Sequence, residues 1–112
     1  MKRWSKYGNR KTYVGDLLFD SKREADRYVE LMLMQKAGTI KELQTQVPFE
    51  LIPSIRGDDG KVIQRAVDYV ADFTYWQDGK YVVEDAKGYR PDVYKIKKKL
   101  MLWRHGIVIK ET

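Results

Sequence analysis

The chain of 112 residues has no cysteine, a single histidine and a formal net charge of +6 from 22 basic and 16 acidic residues. This length predicts one domain over residues 1–112, and the composition excludes disulfides, thiolate zinc sites, cysteine nucleophiles and histidine-rich metal centres, so that any bound metal should have oxygen ligands. No stretch approaches the roughly 20 apolar residues of a membrane span, and the first residues lack the apolar core of a signal peptide. We therefore expect a cytoplasmic protein without membrane contacts. The excess of basic residues favours nucleic acid as a partner.

A basic arm of about residues 1–12 opens the chain. Its lysine and arginine residues alternate with Trp4 and Tyr7, and cations interleaved with aromatic rings are typical of nucleic-acid contacts. In this arm, the residues expected to bind DNA phosphates are Lys6, Arg10 and Lys11. After the arm, residues 13–19 favour a small hairpin around Gly15 and Asp16.

A first helix is predicted to begin at Asp20 and Ser21 and to end near Gly38. Helical spacing predicts that its buried side consists of Ala25, Tyr28, Val29, Met32 and Leu33. Glu24 stands three residues after Ser21, which is the spacing of a capping box whose glutamate returns to the first amide of the helix.

Three strands are predicted in the middle of the chain. Residues 40–43 make a short turn before a strand over residues 46–52, where Pro48 indicates an edge position or a bulge. After a loop at residues 57–60, a central strand runs from about residue 64 to residue 76. The Asp78-Gly79 pair is a strong hairpin signal, and it connects the central strand to a partner over residues 80–87.

The register of this hairpin brings two acids and a lysine together. If Gln77 faces Lys80, then Asp72 lies opposite Asp85, and Lys87 shares their side of the sheet because side chains alternate. Like charges directly opposite each other destabilise a sheet, so a bound cation would explain the pair. If the register slipped by one residue, Glu84 would be the acid that lies close to Asp72. In the favoured register Glu84 points to the other face of the sheet, where we expect it to form a structural ion pair.

A second helix is predicted to begin at Pro91 and to end near Gly106. Its predicted buried residues are Val93, Ile96, Leu100 and Trp103. Residues 107–109 read as a short final strand. The residues expected to contact phosphates near this helix are Arg90, Lys95 and Lys98. His105 is interpreted as a favourable charge at the carboxyl end of the helix.

The strand motif resembles the signature of the PD-(D/E)xK nuclease superfamily, which is an acid on one strand followed by Asp/Glu-x-Lys on the next, here Asp72 and Asp85-Ala86-Lys87. Ala71 stands where that superfamily often has a proline. More broadly, residues 6–12, 19–25, 69–73 and 83–88 resemble a family of small, mostly uncharacterised phage and prophage proteins (DUF1064-like) placed in the superfamily. The resemblance implies an α/β (α+β) restriction-endonuclease-like αβββαβ core, with a central mixed sheet flanked by helices.

The resemblance also implies an activity, that of a metal-dependent DNA endonuclease in phage or prophage recombination, replication or branched-DNA processing. In bacterial or phage-infected cells it would use Mg²⁺ or Mn²⁺ and no organic cofactor, and a homodimer would supply the two sites needed to cut both strands. The implied metal contacts are Asp72, Asp85, the Ala86 carbonyl and Glu24. Lys87 would orient or help to deprotonate the attacking water.

Several alternatives remain open from the sequence. Glu24 is either a third metal contact or only a helix cap, and Gln46 is a weaker candidate for contact with substrate or water. The chain could instead be a non-catalytic nucleic-acid-binding accessory protein with a nuclease-like core, or a protein with a purely structural role. RNA is an alternative substrate to DNA.

Overall fold

The computed structural model describes residues 10–112, so the predicted phosphate contact of Lys6 lies outside the described residues. The elements in chain order are β1 (Thr12–Val14), β2 (Leu17–Phe19), α1 (Lys22–Lys36), β3 (Lys41–Ile52), β4 (Ile55–Arg56), β5 (Val62–Gln64), β6 (Val67–Gln77), β7 (Lys80–Asp85), α2 (Asp92–His105) and β8 (Lys110–Glu111). Within the described part of the chain, neither helix is long and apolar enough to cross a membrane.

A mixed sheet of four strands in the order β3-β6-β7-β8 forms the centre of the fold. The first two pairings are antiparallel, whereas β7 and β8 run parallel after the crossover through α2. The small hairpins β1–β2 and β4–β5 are separate two-stranded sheets. The predicted order of helix, three strands, helix and strand is confirmed by α1, β3, β6, β7, α2 and β8, and Pro48 lies on an edge strand as predicted.

The hairpin of β6 and β7 has the predicted register. Gln77 is paired with Lys80, and Phe73 is paired with Glu84. Asp78 and Gly79 have φ values of 52° and 74°, and two successive left-handed residues are what a type I′ turn requires between twisted strands. One residue beyond the Phe73–Glu84 pair, Asp72 therefore lies across from Asp85.

Two hydrophobic clusters fill the interior. The first consists of Phe19, Ala25, Leu31, Ile40, Phe73, Tyr75 and Ala86. The second consists of Leu51, Tyr69, Ala71, Val83, Tyr94, Met101 and Ile109. Asp72 follows Ala71 of the second cluster and precedes Phe73 of the first. The buried acid therefore lies where the two clusters meet, between apolar neighbours on its own strand.

The buried side of α1 differs from the prediction. Ala25 is buried and Tyr28 is half-buried, as expected, but Val29, Met32 and Leu33 are exposed. The helix is rotated so that Glu24 and Leu31 face the sheet. The prediction was wrong because apolar residues occupy nearly the whole circumference of the second half of α1, so that spacing alone does not select one face.

The buried side of α2 was also predicted wrongly. Tyr94 and Met101, which are two turns apart, are buried, while Val93, Ile96 and Trp103 are exposed. Leu100 is half-buried at the border between the two sides. Tyr94 is buried in preference to Val93 and Ile96 because its ring can pack in the second cluster while its hydroxyl donates a hydrogen bond to Glu111 at 2.7 Å.

Several element bounds differ from the prediction as well. The expected turn at residues 40–43 belongs mostly to β3, where Glu42 adopts a φ of 56° and shifts the register. The last strand lies at Lys110–Glu111 rather than at residues 107–109, and Ile109, just before it, is buried in the second cluster. The central strand begins at Val67, and its partner ends at Asp85.

Candidate active site

Asp72 is buried in β6, and both of its carboxylate oxygens accept hydrogen bonds from the chain that follows β7. The backbone N–H of Ala86 donates to Oδ2 at 2.8 Å, and Nζ of Lys87 donates to Oδ1 at 2.6 Å. These contacts exist because the I′ turn fixes the register of the hairpin and so carries the end of β7 past Asp72. The structure places Lys87 against Asp72, as the register predicts.

Glu24 is brought to the same site by the first turn of α1. Ser21 caps the helix, since its Oγ accepts a hydrogen bond from the Glu24 amide at 3.1 Å. The Glu24 side chain is buried and points into the site, where its Oε1 accepts a hydrogen bond from Nε2 of Gln46 at 2.9 Å and its Oε2 lies 3.9 Å from Nζ of Lys87. The residue therefore serves the cap through its backbone and the site through its carboxylate.

Gln46 reaches this site from the edge strand β3. Its backbone has a φ of 53°, a left-handed conformation that is costly for a residue with a Cβ atom. The residue is exposed overall, yet its side-chain amide donates a hydrogen bond to Glu24. The strained backbone thus accompanies a side chain that enters the site.

Asp85, at the end of β7, has partners of its own. The hydroxyl of Tyr69 donates a hydrogen bond to Oδ2 at 2.9 Å. The other oxygen, Oδ1, lies 3.5 Å from Nε of Arg90 but has no hydrogen-bond partner among residues 10–112. Arg90 also donates from Nη2 to the Asp85 backbone carbonyl at 2.9 Å. Asp85 therefore has one fully buried oxygen whose capacity to accept hydrogen bonds or bind a cation is unused.

Both carboxylate oxygens of the neighbouring acid, Glu84, accept hydrogen bonds. Arg27 of α1 donates to both of its carboxylate oxygens, at 2.7 Å and 2.8 Å. Tyr75 and Thr112 donate two further hydrogen bonds, at 2.7 Å and 3.1 Å. Burial alone would raise the pKa of Glu84, but the hydrogen bonds from Arg27 and Tyr75 hold it below its usual range. The expected structural ion pair of Glu84 is confirmed.

The pKa shifts describe a site with surplus negative charge. Burial, followed by repulsion from Asp72, raises the pKa of Glu24 to about 7. The same two causes raise the pKa of Asp85. Burial acts to lower the pKa of Lys87, but its hydrogen bond to Asp72 and the nearby acids raise it overall, so that Lys87 stays an ammonium. Two cations, Lys87 and Arg90, therefore face the three buried carboxyl groups of Asp72, Glu24 and Asp85.

The residues expected to bind phosphate have different surroundings in the structure. Arg10 and Lys11 are exposed. Lys95 pairs with Asp92 at 3.5 Å on the surface of α2, and Lys98 lies 3.2 Å from Glu111. Arg90 is largely enclosed between Asp85 and Glu111 and lies over the ring of Tyr94 at 5.6 Å. Arg90 thus belongs to the acid site more than to an open cationic surface.

His105 lies at the last turn of α2, as expected. Its Nε2 lies 2.7 Å from the backbone carbonyl of Glu50 on β3. Arg104 also contacts this strand, donating to the Leu51 carbonyl at 3.1 Å. These contacts fasten the end of α2 to the sheet, away from the acids.

Two features decide whether the site suits the metal that the superfamily resemblance implies. The donors are carboxylate oxygens, which Mg²⁺ and Mn²⁺ prefer, and one of them, Oδ1 of Asp85, is buried without a hydrogen bond. Among the described residues, however, no group of three or more His, Cys, Asp or Glu side chains is arranged to hold a metal ion. The chemistry of the donors fits the metal, and further oxygen ligands would have to come from the backbone or from water.

Reasoning from sequence missed Tyr69 and the role of Arg90 as partners of Asp85. A tyrosine in a buried strand gives no signal in the sequence of where its hydroxyl points. The clue available for Arg90 was its position between the Asp-x-Lys motif and the proline that begins α2.

Fold and site together define a mixed α/β protein with a buried cluster of acids around a lysine at the end of a central hairpin. The chain belongs to the family described as "Protein of unknown function (DUF1064)", whose model matches residues 4–109. Comparisons with curated proteins and with solved structures gave no match.

Proposed function

We propose that this chain is a metal-dependent endonuclease of the PD-(D/E)xK superfamily that hydrolyses phosphodiester bonds in DNA. The observation that carries the proposal is the burial of Asp72 and Glu24 around the ammonium of Lys87, with the buried Asp85 across the hairpin from Asp72. Burying carboxylates is costly unless they are paired, and clusters with raised pKa values are typical of functional sites. The surplus negative charge is what a divalent cation would neutralise.

The order of the elements supports the same proposal. The arrangement α1, β3, β6, β7, α2, β8 agrees with the αβββαβ core of the superfamily. Asp72 stands on the second strand of that core, and Asp85 and Lys87 stand at the end of the third. This is where the superfamily resemblance predicts the first acid and the Asp-x-Lys tripeptide.

Each residue then has a chemical role. Asp72 and Asp85 would hold Mg²⁺ or Mn²⁺, with the Ala86 carbonyl and water molecules as further oxygen donors. Such an ion, when bound, lowers the pKa of a water ligand and stabilises charge on the phosphate. The Lys87 ammonium, held 2.6 Å from Asp72 Oδ1, would donate hydrogen bonds to the attacking water or to a phosphate oxygen. Gln46 would keep the Glu24 carboxylate directed at this spot.

The substrate class follows from charge. The net charge of +6 and the exposed Arg10 and Lys11 favour a polyanion, and DNA is the proposed partner. The family resemblance favours recombination, replication or branched-DNA processing in a phage or prophage. A homodimer would provide the two sites needed to cut both strands of a junction.

A second candidate, a nucleic-acid-binding accessory protein that does not cleave, is favoured by one observation. Asp85 Oδ1 already lies 3.5 Å from Arg90 Nε, and an internal guanidinium can take the place of a metal as counter-charge. Such a protein would bind DNA in a salt-dependent way and would show no requirement for divalent cations.

The test is cleavage of labelled linear, flapped and four-way-junction DNA and matched RNA by the full chain, with Mg²⁺, with Mn²⁺ and with chelator. The site variants are Asp85→Ala and Lys87→Ala. Matched controls are Asp68→Ala and Lys80→Ala, which remove an exposed acid from β6 and an exposed lysine from β7. DNA binding is measured for every variant at two salt concentrations.

Metal-dependent cutting that is lost in both site variants and kept in both controls, with DNA binding intact, would support the nuclease. Binding of every DNA without any cutting would favour the accessory protein. Cutting that survives in Asp85→Ala would place the chemistry elsewhere and overturn the assignment of this site.

A further inference from the structure

Tyr69 and Tyr75 are two buried tyrosines of β6 whose hydroxyls contact two adjacent acids of β7. Tyr69 donates to Asp85 Oδ2 at 2.9 Å, and Tyr75 donates to Glu84 Oε1 at 2.7 Å. The two acids differ in their other hydrogen bonds. Glu84 also accepts hydrogen bonds from Arg27 and Thr112, whereas the Tyr69 hydroxyl is the only side-chain hydrogen-bond donor to the Asp85 carboxylate among the described residues.

The ring of Tyr69 is itself held in place. It is almost fully buried in the second hydrophobic cluster, and its ring centre lies 6.2 Å from that of Tyr94 on α2 at a tilt of 56°. Close packing on all sides leaves few rotamers to such a ring. The hydroxyl is therefore a fixed donor, directed at one oxygen of one carboxylate.

A fixed donor on one oxygen sets the direction of the other. With Oδ2 bound to Tyr69, rotation of the carboxylate about the Cβ–Cγ bond would break a buried hydrogen bond. Oδ1 is thereby left without a hydrogen bond, with its ion-pair contact to Arg90 Nε at 3.5 Å. Arg90 adds to the constraint by binding the Asp85 backbone carbonyl. Hydrogen bonds to the ligands of a metal commonly fix their orientation and strengthen binding.

We propose that Tyr69 is a positioning residue, which holds the Asp85 carboxylate so that Oδ1 is presented to a divalent cation. The inference rests on the proposed metal site and deepens it, because it assigns a role to a residue outside the Asp-x-Lys motif. Tyr75, on the same strand, has the corresponding contact with a purely structural acid and so provides a matched control.

The experiment is titration of the full chain with Mn²⁺ in the absence of DNA, followed by the electron paramagnetic resonance signal of free Mn²⁺. Four proteins are compared: wild type, Tyr69→Phe, Tyr75→Phe and Asp85→Ala. Thermal unfolding of the metal-free proteins is recorded in parallel. Each Tyr→Phe change keeps the ring and removes one buried hydroxyl, and thermal unfolding shows how much stability each variant loses.

We expect Tyr69→Phe to weaken Mn²⁺ binding by about tenfold or more, with no such change in Tyr75→Phe and loss of binding in Asp85→Ala. Equal Mn²⁺ affinity of folded Tyr69→Phe and wild type would overturn the positioning role and leave the metal site standing. If wild type itself binds no Mn²⁺, the proposed metal-dependent function fails, and the positioning role fails with it.

A second pair of variants covers the case in which Tyr69→Phe does not fold. With 4-aminophenylalanine at position 69 the ring keeps an N–H donor, whereas with 4-fluorophenylalanine a ring of similar volume loses it. Mn²⁺ affinity near that of wild type with the amino substituent and weakened with the fluoro substituent would support the role. Identical affinities for the two would contradict it.

Discussion

The ammonium of Lys87 lies 2.6 Å from Oδ1 of Asp72 across the central hairpin. It also lies 3.9 Å from Glu24, so one cation faces two buried carboxyl groups that come from different elements. Removing it would leave both acids without that counter-charge, and an unpaired buried carboxylate is strongly destabilising.

The first prediction concerns this lysine and the stability of the metal-free chain. Lys87→Met keeps most of the side-chain volume, and we expect it to lower the free energy of unfolding by about 1–3 kcal/mol, less than for a fully buried pair because the Lys87 side chain is 40% exposed. Urea denaturation at pH 8 measures the change. Lys22→Met, which breaks the exposed pair with Asp26, is the control and should cost about 0.5 kcal/mol or less; equal losses would mean that Lys87 is an ordinary surface lysine.

The second prediction concerns Glu24 and pH. Its pKa is raised from 4.5 to about 7 in the folded chain, so between these values the folded state binds more protons than the unfolded state, and the contribution of Glu24 to stability falls as pH rises. Glu24→Gln should therefore stabilise the chain at pH 8, by on the order of 2 kcal/mol, and have little effect at pH 5.

Thermal or urea unfolding of both proteins from pH 5 to pH 8 checks this prediction. Glu30→Gln, which changes an exposed acid of the same helix, serves as the control and should show no such trend. A stability difference between Glu24→Gln and wild type that does not grow with pH would contradict the raised pKa of Glu24.

The third prediction separates the adjacent acids Glu84 and Asp85. Glu84→Gln removes the charge that Arg27 binds with two hydrogen bonds, so we expect a loss of about 3 kcal/mol in unfolding free energy with DNA cleavage per folded molecule unchanged. Asp85→Asn should have the opposite profile, with little loss of stability and no cleavage. Urea denaturation measures the unfolding free energy, and the Mg²⁺-dependent assay measures DNA cleavage per folded molecule. If both variants changed these two quantities in the same way, Glu84 would not be purely structural and Asp85 would not be purely catalytic.

The fourth prediction concerns the end of α2. Gly106 has a φ of 67°, and a Cβ placed there would meet no atom within 4 Å, so Gly106→Ala costs only the backbone strain of the left-handed conformation, about 1 kcal/mol. Gly88→Ala is the control, because Gly88 is outside the left-handed region and its Cβ would meet only Arg23 at 4.0 Å. Urea midpoints compare the two; equal costs would argue against strain at Gly106.

The part of the site that lies on the hairpin could be predicted from sequence because its geometry is local. Asp78 and Gly79 set the turn, the turn sets the register, and the register brings Asp72 to Asp85 and Lys87. No packing between distant segments has to be known for that step.

The helix faces, the partners of Asp85 and the direction of the Glu24 side chain could not be predicted, because they depend on packing between distant segments. In α2 the residues Val93, Ile96 and Trp103 have the spacing of a buried side, but the residues that fit the second cluster are Tyr94 and Met101. The two possible roles of Glu24 were equally consistent with its spacing from Ser21. Docking of α1 against the sheet points the carboxylate at Gln46 and Lys87, and this contact depends on packing that the spacing does not reveal.

The edge strand β3 has a consequence for how copies of this chain can associate. Pro48 has no N–H to donate, and Glu42 and Gln46 bend the strand through left-handed backbone conformations, so this edge is a poor template for another strand. The opposite edge, β8, is only two residues long. A dimer of this chain would therefore be built from helix and hairpin surfaces, and the sheet would end within each copy instead of continuing from one copy into the next.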